Sequence, residues 1–202
     1  MRNGREFSAS LFAMADSGFS HIAWRVLNTR EFGLPQNRSR LLIVASQDPA
    51  IASTLFRPVP PLAKSATSRE ARNEAAGFYW TAGIHSINYS RGYVPTIKIG
   101  SSVGIASPPA VHYGTVVRTL SPMESLRLQG FDIPVELFPS ATSAYKAAGN
   151  AVARPIGRWV LDGLLDVGHV EMPKWTPTQG ELFSDGSGLA KYPSAGVWVN
   201  EV

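Results

Sequence analysis

The chain has 202 residues, of which 44% are hydrophobic and 17% are charged, and its formal net charge at pH 7 is +4. This composition allows a buried core of one or two domains, and no apolar run approaches the roughly 20 residues that a membrane-spanning helix needs. The absence of cysteine excludes disulfides, thiolate metal sites and a cysteine nucleophile among these residues.

The placement of charge and of histidine narrows the class of partner. Residues 159–202 hold two Lys/Arg against six Asp/Glu, so the rest of the chain is basic. A basic body suits a polyanionic partner, although ordinary solvated surface charge explains it equally well. The four histidines show no metal-ligand spacing, so no metal site is expected. No apolar segment follows the arginines near Met1, which argues against a secretory signal and favours a soluble protein of the cytoplasm.

The first elements in chain order are a helix and two strands. Residues 3–18 place Phe7 and Leu11 at helical spacing, which predicts a helix. Residues 22–27 and 40–46 are short apolar runs, which predict two strands that pair with each other.

A turn between these strands carries long polar side chains. The turn Gly33-Leu34-Pro35 is followed by Gln36, Arg38 and Arg40 at alternate positions. Because side chains alternate along a strand, these three are expected on one face. Two guanidiniums and an amide on one face suit a phosphate or a base edge, and a pair of surface arginines beside a turn is the alternative.

The middle of the chain predicts a linker and a β-rich region. Residues 56–76 are rich in proline and then in alanine and polar residues, which is typical of a linker. Residues 77–119 contain short aromatic segments interrupted repeatedly by glycine, which predicts short strands and turns.

Three helices are predicted next. A cap at Ser121, followed by proline and by a glutamate three residues after the cap, predicts a helix that ends at Gly130. Residues 141–148 predict a second helix, and a third begins near Pro155. The expected buried stripe of the third helix is Ile156, Val160 and Leu164. After Asp166 the sequence is loop-like and acidic.

Three of these segments together resemble one enzyme family. They are Gly33-Leu34-Pro35-Gln36-Asn37-Arg38-Ser39-Arg40, Ser121-Pro122-Met123-Glu124-Ser125-Leu126-Arg127-Leu128-Gln129-Gly130-Phe131 and Tyr145-Lys146-Ala147-Ala148-Gly149-Asn150-Ala151-Val152. In this order they resemble the Pro-Gln-x-Arg-x-Arg, Arg-Leu-Gln-Gly-Phe and Gly-Asn-Ala-Val signatures of DNA cytosine-5 methyltransferases. The resemblance extends at least from Asn3 to Leu165 and corresponds to the C-terminal half of that family only.

The resemblance implies an α/β fold. The expected architecture is an incomplete Rossmann-like lobe of an S-adenosylmethionine-dependent methyltransferase plus a small β-rich target-recognition lobe. The expected segments are the C-terminal part of the catalytic lobe (residues 1–55), a linker (56–76), the recognition lobe (77–120), helices that return to the catalytic lobe (121–166) and an acidic tail (167–202).

The resemblance also implies roles for individual residues. Arg40 is the candidate contact to the carbonyl and phosphate of a cytosine flipped out of double-stranded DNA, and Arg38 and Gln36 position it. Asn150 and Ala151 are expected to contact the methyl donor, S-adenosylmethionine. The candidate DNA contacts of the recognition lobe, to base edges or phosphates, are Arg91, Thr96, Lys98, Ser101 and Ser102. Ordinary surface polarity is the alternative for these last five.

The family's reacting groups are absent from the sequence. It contains no Phe-x-Gly-x-Gly cofactor loop, no Pro-Cys nucleophile and no Glu-Asn-Val acid. Covalent catalysis would therefore need a complementary N-terminal methyltransferase chain, and we expect the isolated chain to be inactive. The resemblance therefore implies the C-terminal portion or a subunit of a DNA cytosine-5 methyltransferase of a restriction–modification system. A non-catalytic, sequence-preferring DNA-binding protein and a decayed fragment are the alternatives.

Overall fold

The computed structural model describes residues 5–60, 75–79, 89–98, 109–166 and 195–199. Its helices are α1 (Arg5–Asp16), α2 (Pro49–Ser53), α3 (Pro122–Arg127), α4 (Ala141–Asn150) and α5 (Arg154–Leu165). Its strands are β1 (His21–Asn28), β2 (Gln36–Asn37), β3 (Ser39–Ser46), β4 (Ala75–Phe78), β5 (Ser90–Arg91), β6 (Val94–Pro95), β7 (Ala110–Tyr113), β8 (Val116–Thr119) and β9 (Ala195–Val199). This mixture agrees with the α/β class. None of the helices in this described part is long and apolar enough to cross a membrane.

The chain divides into two compact units. Unit one is drawn from Met1–Leu27, Arg40–Pro58 and Trp159–Val202, and unit two from Asn28–Ser39 and Val59–Arg158. The units therefore interleave along the chain, whereas the segments expected from the sequence follow one another.

The sheet of unit one has the strand order β3-β1-β9. The pairing of β1 with β3 confirms the two strands predicted from the apolar runs. Strand β9 runs antiparallel to β1, with Ile22 opposite Trp198, and its Val197 is buried. The sequence analysis did not predict β9, because an acidic, glycine- and proline-rich stretch hides a short β-prone segment that acquires its partner only through a distant strand.

Helix α1 and strand β1 form the core of unit one. Leu11, Ile22 and Trp24 are buried there, and the rings of Phe7 and Trp24 pack in a T-shaped arrangement with their centroids 5.5 Å apart. Burying each of these large side chains contributes about 1.5–3 kcal/mol.

The end of α1 is set by a glycine. Helix α1 ends at Asp16, and Gly18 follows with φ at +92° while its N–H donates to the carbonyl of Ala15. This conformation suits glycine, so the predicted stop is confirmed. The predicted cap at Asn3 lies outside the described residues.

Helix α5 buries a different stripe from the predicted one. Its buried positions are Ile156, Trp159 and Gly163, whereas Val160 and Leu164 are only half-buried. A Cβ on Gly163 would lie 2.8 Å from Cζ of Arg57. Glycine at this position leaves room for the guanidinium, which explains why the buried face of α5 includes Gly163. A prediction from hydrophobic residues alone does not detect this position.

Unit two contains short strands, as the glycine-interrupted sequence predicted. One antiparallel sheet has the order β5-β4-β7-β8, and β2 pairs with β6 in parallel. Gly77 in β4 is required by packing, because a Cβ there would lie 2.6 Å from Cα of Val94.

The N-terminus of α3 has the predicted cap. Ser121 Oγ accepts from the backbone N–H of Glu124, and Glu124 Oε2 accepts from the N–H of Ser121, with Pro122 at the first helical position. Arg118 donates to Glu124 from 2.6 Å, and this bond lowers the pKa of Glu124 to about 2. The capping box is therefore confirmed.

The turn after α3 depends on Gly130. Its φ is +82°, and a Cβ there would lie 2.8 Å from Cδ of Pro155. The N–H of Arg154 donates to the carbonyl of Gln129 from 2.8 Å, which fixes the start of α5 beside this turn.

Candidate functional site

The loop between β1 and β3 is closed by Thr29, which is fully buried. Its N–H donates to the carbonyl of Arg38 from 3.0 Å, its hydroxyl donates to the carbonyl of Gln36, and the N–H of Arg38 donates to that hydroxyl from 3.3 Å. Gly33 turns the chain with φ at +83° after a short 3-10 helix, Thr29–Phe32. The loop therefore holds the backbone of Gln36 and Arg38 in one position.

Two buried amides connect this loop to the end of α3. Gln36 and Gln129 are both fully buried, and Gln129 Nε2 donates to Gln36 Oε1 from 3.0 Å. The remaining amide atoms, Gln36 Nε2 and Gln129 Oε1, have no hydrogen-bond partner within the described part of the chain. The pair joins the first and second of the three family-like segments by a single hydrogen bond.

The guanidinium of Arg38 connects the loop to two further segments. Arg38 is 3% exposed, and its Nη2 donates to the carbonyls of Gly149 and Ala151, each from 2.9 Å. Its Nη1 donates to the carbonyl of Ile97 from 3.3 Å. Charge-assisted bonds of this kind contribute about 1.5–3 kcal/mol each. Arg38 therefore fixes the backbone of residues 149–151, the third family-like segment, relative to that of residue 97.

Residues 96–98 are anchored by a buried tyrosine. Tyr79 donates its hydroxyl proton to the carbonyl of Thr96 from 2.6 Å and accepts from the N–H of Lys98 from 2.8 Å. Burial raises the pKa of Tyr79 to about 12, so the phenol keeps its proton at neutral pH. The hydroxyl of Thr96 donates to the carbonyl of Asn37 from 2.8 Å.

The predicted common face of Gln36, Arg38 and Arg40 is wrong. Gln36 and Arg38 are buried, whereas Arg40 is exposed. Strand β2 ends at Asn37 and β3 begins at Ser39, because the hydrogen bonds to Thr29 interrupt the strand at Arg38. Alternation along a continuous strand therefore does not apply here. Arg38 binds backbone carbonyls, and the contact of Arg40 with a flipped cytosine stays a prediction.

The other predicted site residues differ in their surroundings. Asn150, the last residue of α4, is exposed, and Ala151 follows it as the half-buried C-cap whose carbonyl Arg38 binds. Arg91 is exposed on β5, and Lys98 is exposed as well. The predicted DNA contacts Ser101 and Ser102 lie outside the described residues.

The site's described side chains bind and position. They are amides, a guanidinium and a phenol that keeps its proton, and such groups donate and accept hydrogen bonds without supplying a nucleophile. Within the described ranges, no group of three or more His, Asp or Glu side chains is placed to hold a metal ion.

Sequence reasoning missed two residues of this cluster, Thr29 and Tyr79. Thr29 lies four residues before a Gly-Leu-Pro turn, which is a usable signal for a hydroxyl that closes a loop. Tyr79 stands among other aromatic residues at the end of β4, and no local pattern distinguishes it.

Comparison with known proteins finds similarity to DNA methylases. Residues 1–77 match the family model described as C-5 cytosine-specific DNA methylase. The chain is 33% identical over 175 residues to the Type II methyltransferase M2.BsuMI of Bacillus subtilis (strain 168), an alignment that covers 81% of this chain and 45% of the relative.

Two further relatives are similar over comparable lengths. The Type II methyltransferase M.NlaX of Neisseria lactamica is 27% identical over 185 residues, 79% of this chain and 56% of that protein. The Type II methyltransferase M.Bsp6I of Bacillus sp. (strain RFL6) is 28% identical over 192 residues, 80% of this chain and 60% of that protein. The chain thus spans about half the length of the curated relatives it matches.

Proposed function

We infer from these similarities that the chain belongs to the C-5 cytosine-specific DNA methylases, and we propose that it is the DNA-reading portion of such an enzyme. The whole enzyme would transfer a methyl group from S-adenosylmethionine to C5 of a cytosine flipped out of double-stranded DNA. This portion would supply target recognition and part of the cofactor pocket.

One observation carries this proposal: the three family-like segments meet in a single buried cluster. Gln36 binds Gln129 of the second segment, and Arg38 binds the carbonyls of Gly149 and Ala151 of the third. Both segments follow the Gly-Leu-Pro loop in the chain, with Gln129 93 residues after Gln36 and Gly149 111 residues after Arg38. Three short segments that resembled a family by chance would not be expected to share buried hydrogen bonds. Segments of one common site would.

The cofactor assignment rests on Asn150 and Ala151. Arg38 fixes the carbonyls on both sides of Asn150, so the backbone that carries this residue has one orientation. The carboxamide of Asn150 is exposed and makes no hydrogen bond within the described part of the chain, so it remains available as donor and acceptor for a polar ligand. These properties fit one wall of a pocket for S-adenosylmethionine, which supplies the methyl group when bound.

The sulfur nucleophile of the reaction must come from outside this sequence, which has no cysteine. We propose that a polypeptide with the Pro-Cys and Glu-Asn-Val segments completes the enzyme, either as a separate chain or elsewhere in a longer one. Arg40, exposed on β3, would then be the cation that contacts the flipped cytosine.

The test is co-expression of the 202-residue chain with a neighbouring reading frame that carries the missing segments. Bisulfite sequencing of the host DNA is expected to reveal 5-methylcytosine only when both are present. Replacing the cysteine of the second polypeptide by serine should abolish methylation, and Arg40→Ala should lower its rate about a hundredfold or more. Arg127→Ala, which removes an exposed cation paired with Asp132, is the matched control. Absence of methylated cytosine from every DNA tested would overturn the proposal.

A second candidate function is favoured by the absence of cysteine. A stand-alone DNA-binding protein that keeps the recognition lobe would bind duplex DNA without methylating it. The purified chain would then show sequence-preferring affinity that falls as salt rises, together with no methylation in the co-expression experiment. A gel shift without affinity at low salt would exclude this alternative.

A further inference from the structure

The segment from Val94 to Lys98 is held rigidly within unit two. Strand β6 pairs in parallel with β2, and the N–H of Val94 donates to the carbonyl of Pro35 from 2.9 Å. Tyr79 and Arg38 bind the next backbone groups along the chain, up to the N–H of Lys98. The segment is therefore preorganised, and a ligand that touches it meets groups that do not need to be ordered first.

Most hydrogen-bonding groups of this segment are already used inside the protein. The hydroxyl proton of Thr96 is donated to the carbonyl of Asn37, and the carbonyls of Thr96 and Ile97 accept from Tyr79 and Arg38. Reading a base edge in a groove requires donors and acceptors that are not committed elsewhere. The hydroxyl proton of Thr96 is therefore committed to Asn37 and is not available as a donor to a base edge, whereas the segment offers charge at its surface.

Two exposed cations lie over tyrosine rings next to this segment. Lys98 Nζ is 4.7 Å from the ring centroid of Tyr79, and Arg30 Cζ is 4.1 Å from that of Tyr93, the residue that precedes Val94. Both distances are within the range of cation–π attraction. Each ring limits the freedom of its cation while leaving the charged group accessible to solvent, since Arg30 and Lys98 are both exposed.

Two other exposed arginines of unit two are paired with carboxylates. Arg118 pairs with Glu124 at 2.6 Å, and Arg127 pairs with Asp132 at 3.0 Å. Arg30 and Lys98 form no ion pair with any acidic residue in the described ranges. Their charges are therefore not neutralised by a carboxylate there, although both side chains are held in place.

We propose that Arg30 and Lys98 are a pair of contacts to the phosphate backbone of duplex DNA, one on each side of the anchored segment. This inference rests on the proposed function. It restricts the predicted DNA contact of Lys98 to phosphate, and it adds Arg30, which the sequence analysis did not identify as a DNA contact. A fixed cation without a carboxylate partner binds a phosphate and releases its counterions, and this contact carries no sequence information. The pair would set the register of the recognition lobe on DNA.

The test measures the salt dependence of binding by the 202-residue chain to a short fluorescein-labelled duplex of mixed sequence. Dissociation constants are obtained by anisotropy between about 50 and 200 mM salt, where phosphate contacts dominate the slope. Arg30→Ala and Lys98→Ala are each expected to reduce the slope of log K against log salt by about 0.9, because each removes one phosphate contact. The loss of affinity should be the same for duplexes of different sequence.

Three control variants separate the loss of a phosphate contact from a general loss of positive charge and from a disturbed fold. Arg127→Ala removes the same charge from a paired arginine, and its slope should equal that of the wild type. Arg30→Lys keeps the charge and should keep the slope, and Tyr93→Leu should weaken binding without changing the slope. Wild-type slopes in Arg30→Ala and Lys98→Ala, or an equal fall in Arg127→Ala, would overturn the inference alone. Absence of any affinity of the wild type for duplex DNA at low salt would overturn the proposed function as well.

Discussion

The carboxamides of Gln36 and Gln129 share one hydrogen bond, 3.0 Å from Nε2 of Gln129 to Oε1 of Gln36, between two fully buried side chains. Truncating either one leaves its partner without a hydrogen bond in the interior. Gln36→Leu and Gln129→Leu should therefore each lower the free energy of unfolding by about 1–3 kcal/mol.

The double variant tests whether the two amides depend on each other. Gln36→Leu combined with Gln129→Leu removes both buried polar groups. The double variant should therefore lose clearly less free energy of unfolding than the sum of the two single variants. Urea unfolding of the four proteins measures this difference. Additive losses would show that the two amides contribute independently.

Arg38 should be among the most sensitive positions in unit two. Arg38→Met leaves the carbonyls of Ile97, Gly149 and Ala151 without this donor, and we expect the free energy of unfolding to fall by about 3 kcal/mol. Arg38→Lys keeps the charge but lacks the planar guanidinium whose two terminal nitrogens reach the carbonyl of Ile97 and those of Gly149 and Ala151. It should therefore recover only part of the lost stability. Arg127→Ala, at an exposed ion pair, should change stability by less than about 1 kcal/mol. An equal effect in Arg38→Met and Arg127→Ala would contradict the assigned contacts.

The hydroxyl of Tyr79 should make stability fall at alkaline pH. Burial raises the pKa of Tyr79 in the folded protein from the ordinary tyrosine value of 10.0 to about 12. The stabilisation that the protonated hydroxyl gives the folded state is fully present below the pKa of this tyrosine in the unfolded chain. It is lost as the pH rises through the pKa in the folded protein, so stability should fall between about pH 10 and 12. Tyr79→Phe should remove this part of the pH dependence, whereas Tyr113→Phe, at an exposed tyrosine, should leave it unchanged. Parallel pH profiles for wild type and Tyr79→Phe, measured by chemical unfolding, would refute this expectation.

Gly130 should resist substitution for two separate reasons. Alanine there must adopt φ near +82°, and its Cβ would lie 2.8 Å from Cδ of Pro155. Gly18→Ala is the matched control, because it has a comparable φ of +92° and no neighbouring atom within 4 Å of the added Cβ. The conformational cost alone is about 1–2 kcal/mol, so Gly18→Ala should lose about that and Gly130→Ala clearly more. Equal midpoints of thermal unfolding for the two variants would indicate that the ring of Pro155 moves aside.

Local signals predicted the elements that depend on neighbouring residues. The cap at Ser121, the stop at Gly18 and the strand pair β1–β3 follow from patterns within a few positions, and the structure has all three. The capping box needs only Ser121 and Glu124, three residues apart, so the sequence contains its complete description.

Long-range contacts could not be predicted in the same way. The acceptors of Arg38 Nη2 lie 111 and 113 residues away, and nothing in the surrounding sequence indicates that this arginine is buried while Arg40 is exposed. Strand β9 likewise becomes recognisable only beside β1. The family resemblance indicated which segments belong to one site, but not which side chain joins them.

The antiparallel pairing of β1 with β9 has a consequence for folding. His21 lies opposite Val199, so the central strand of this sheet gains one of its two neighbours from a segment more than 170 positions later. Closing so long a loop costs entropy before any contact repays it, and topologies of this kind fold slowly. During synthesis, one edge of β1 therefore remains unpaired until the ribosome has synthesised β9.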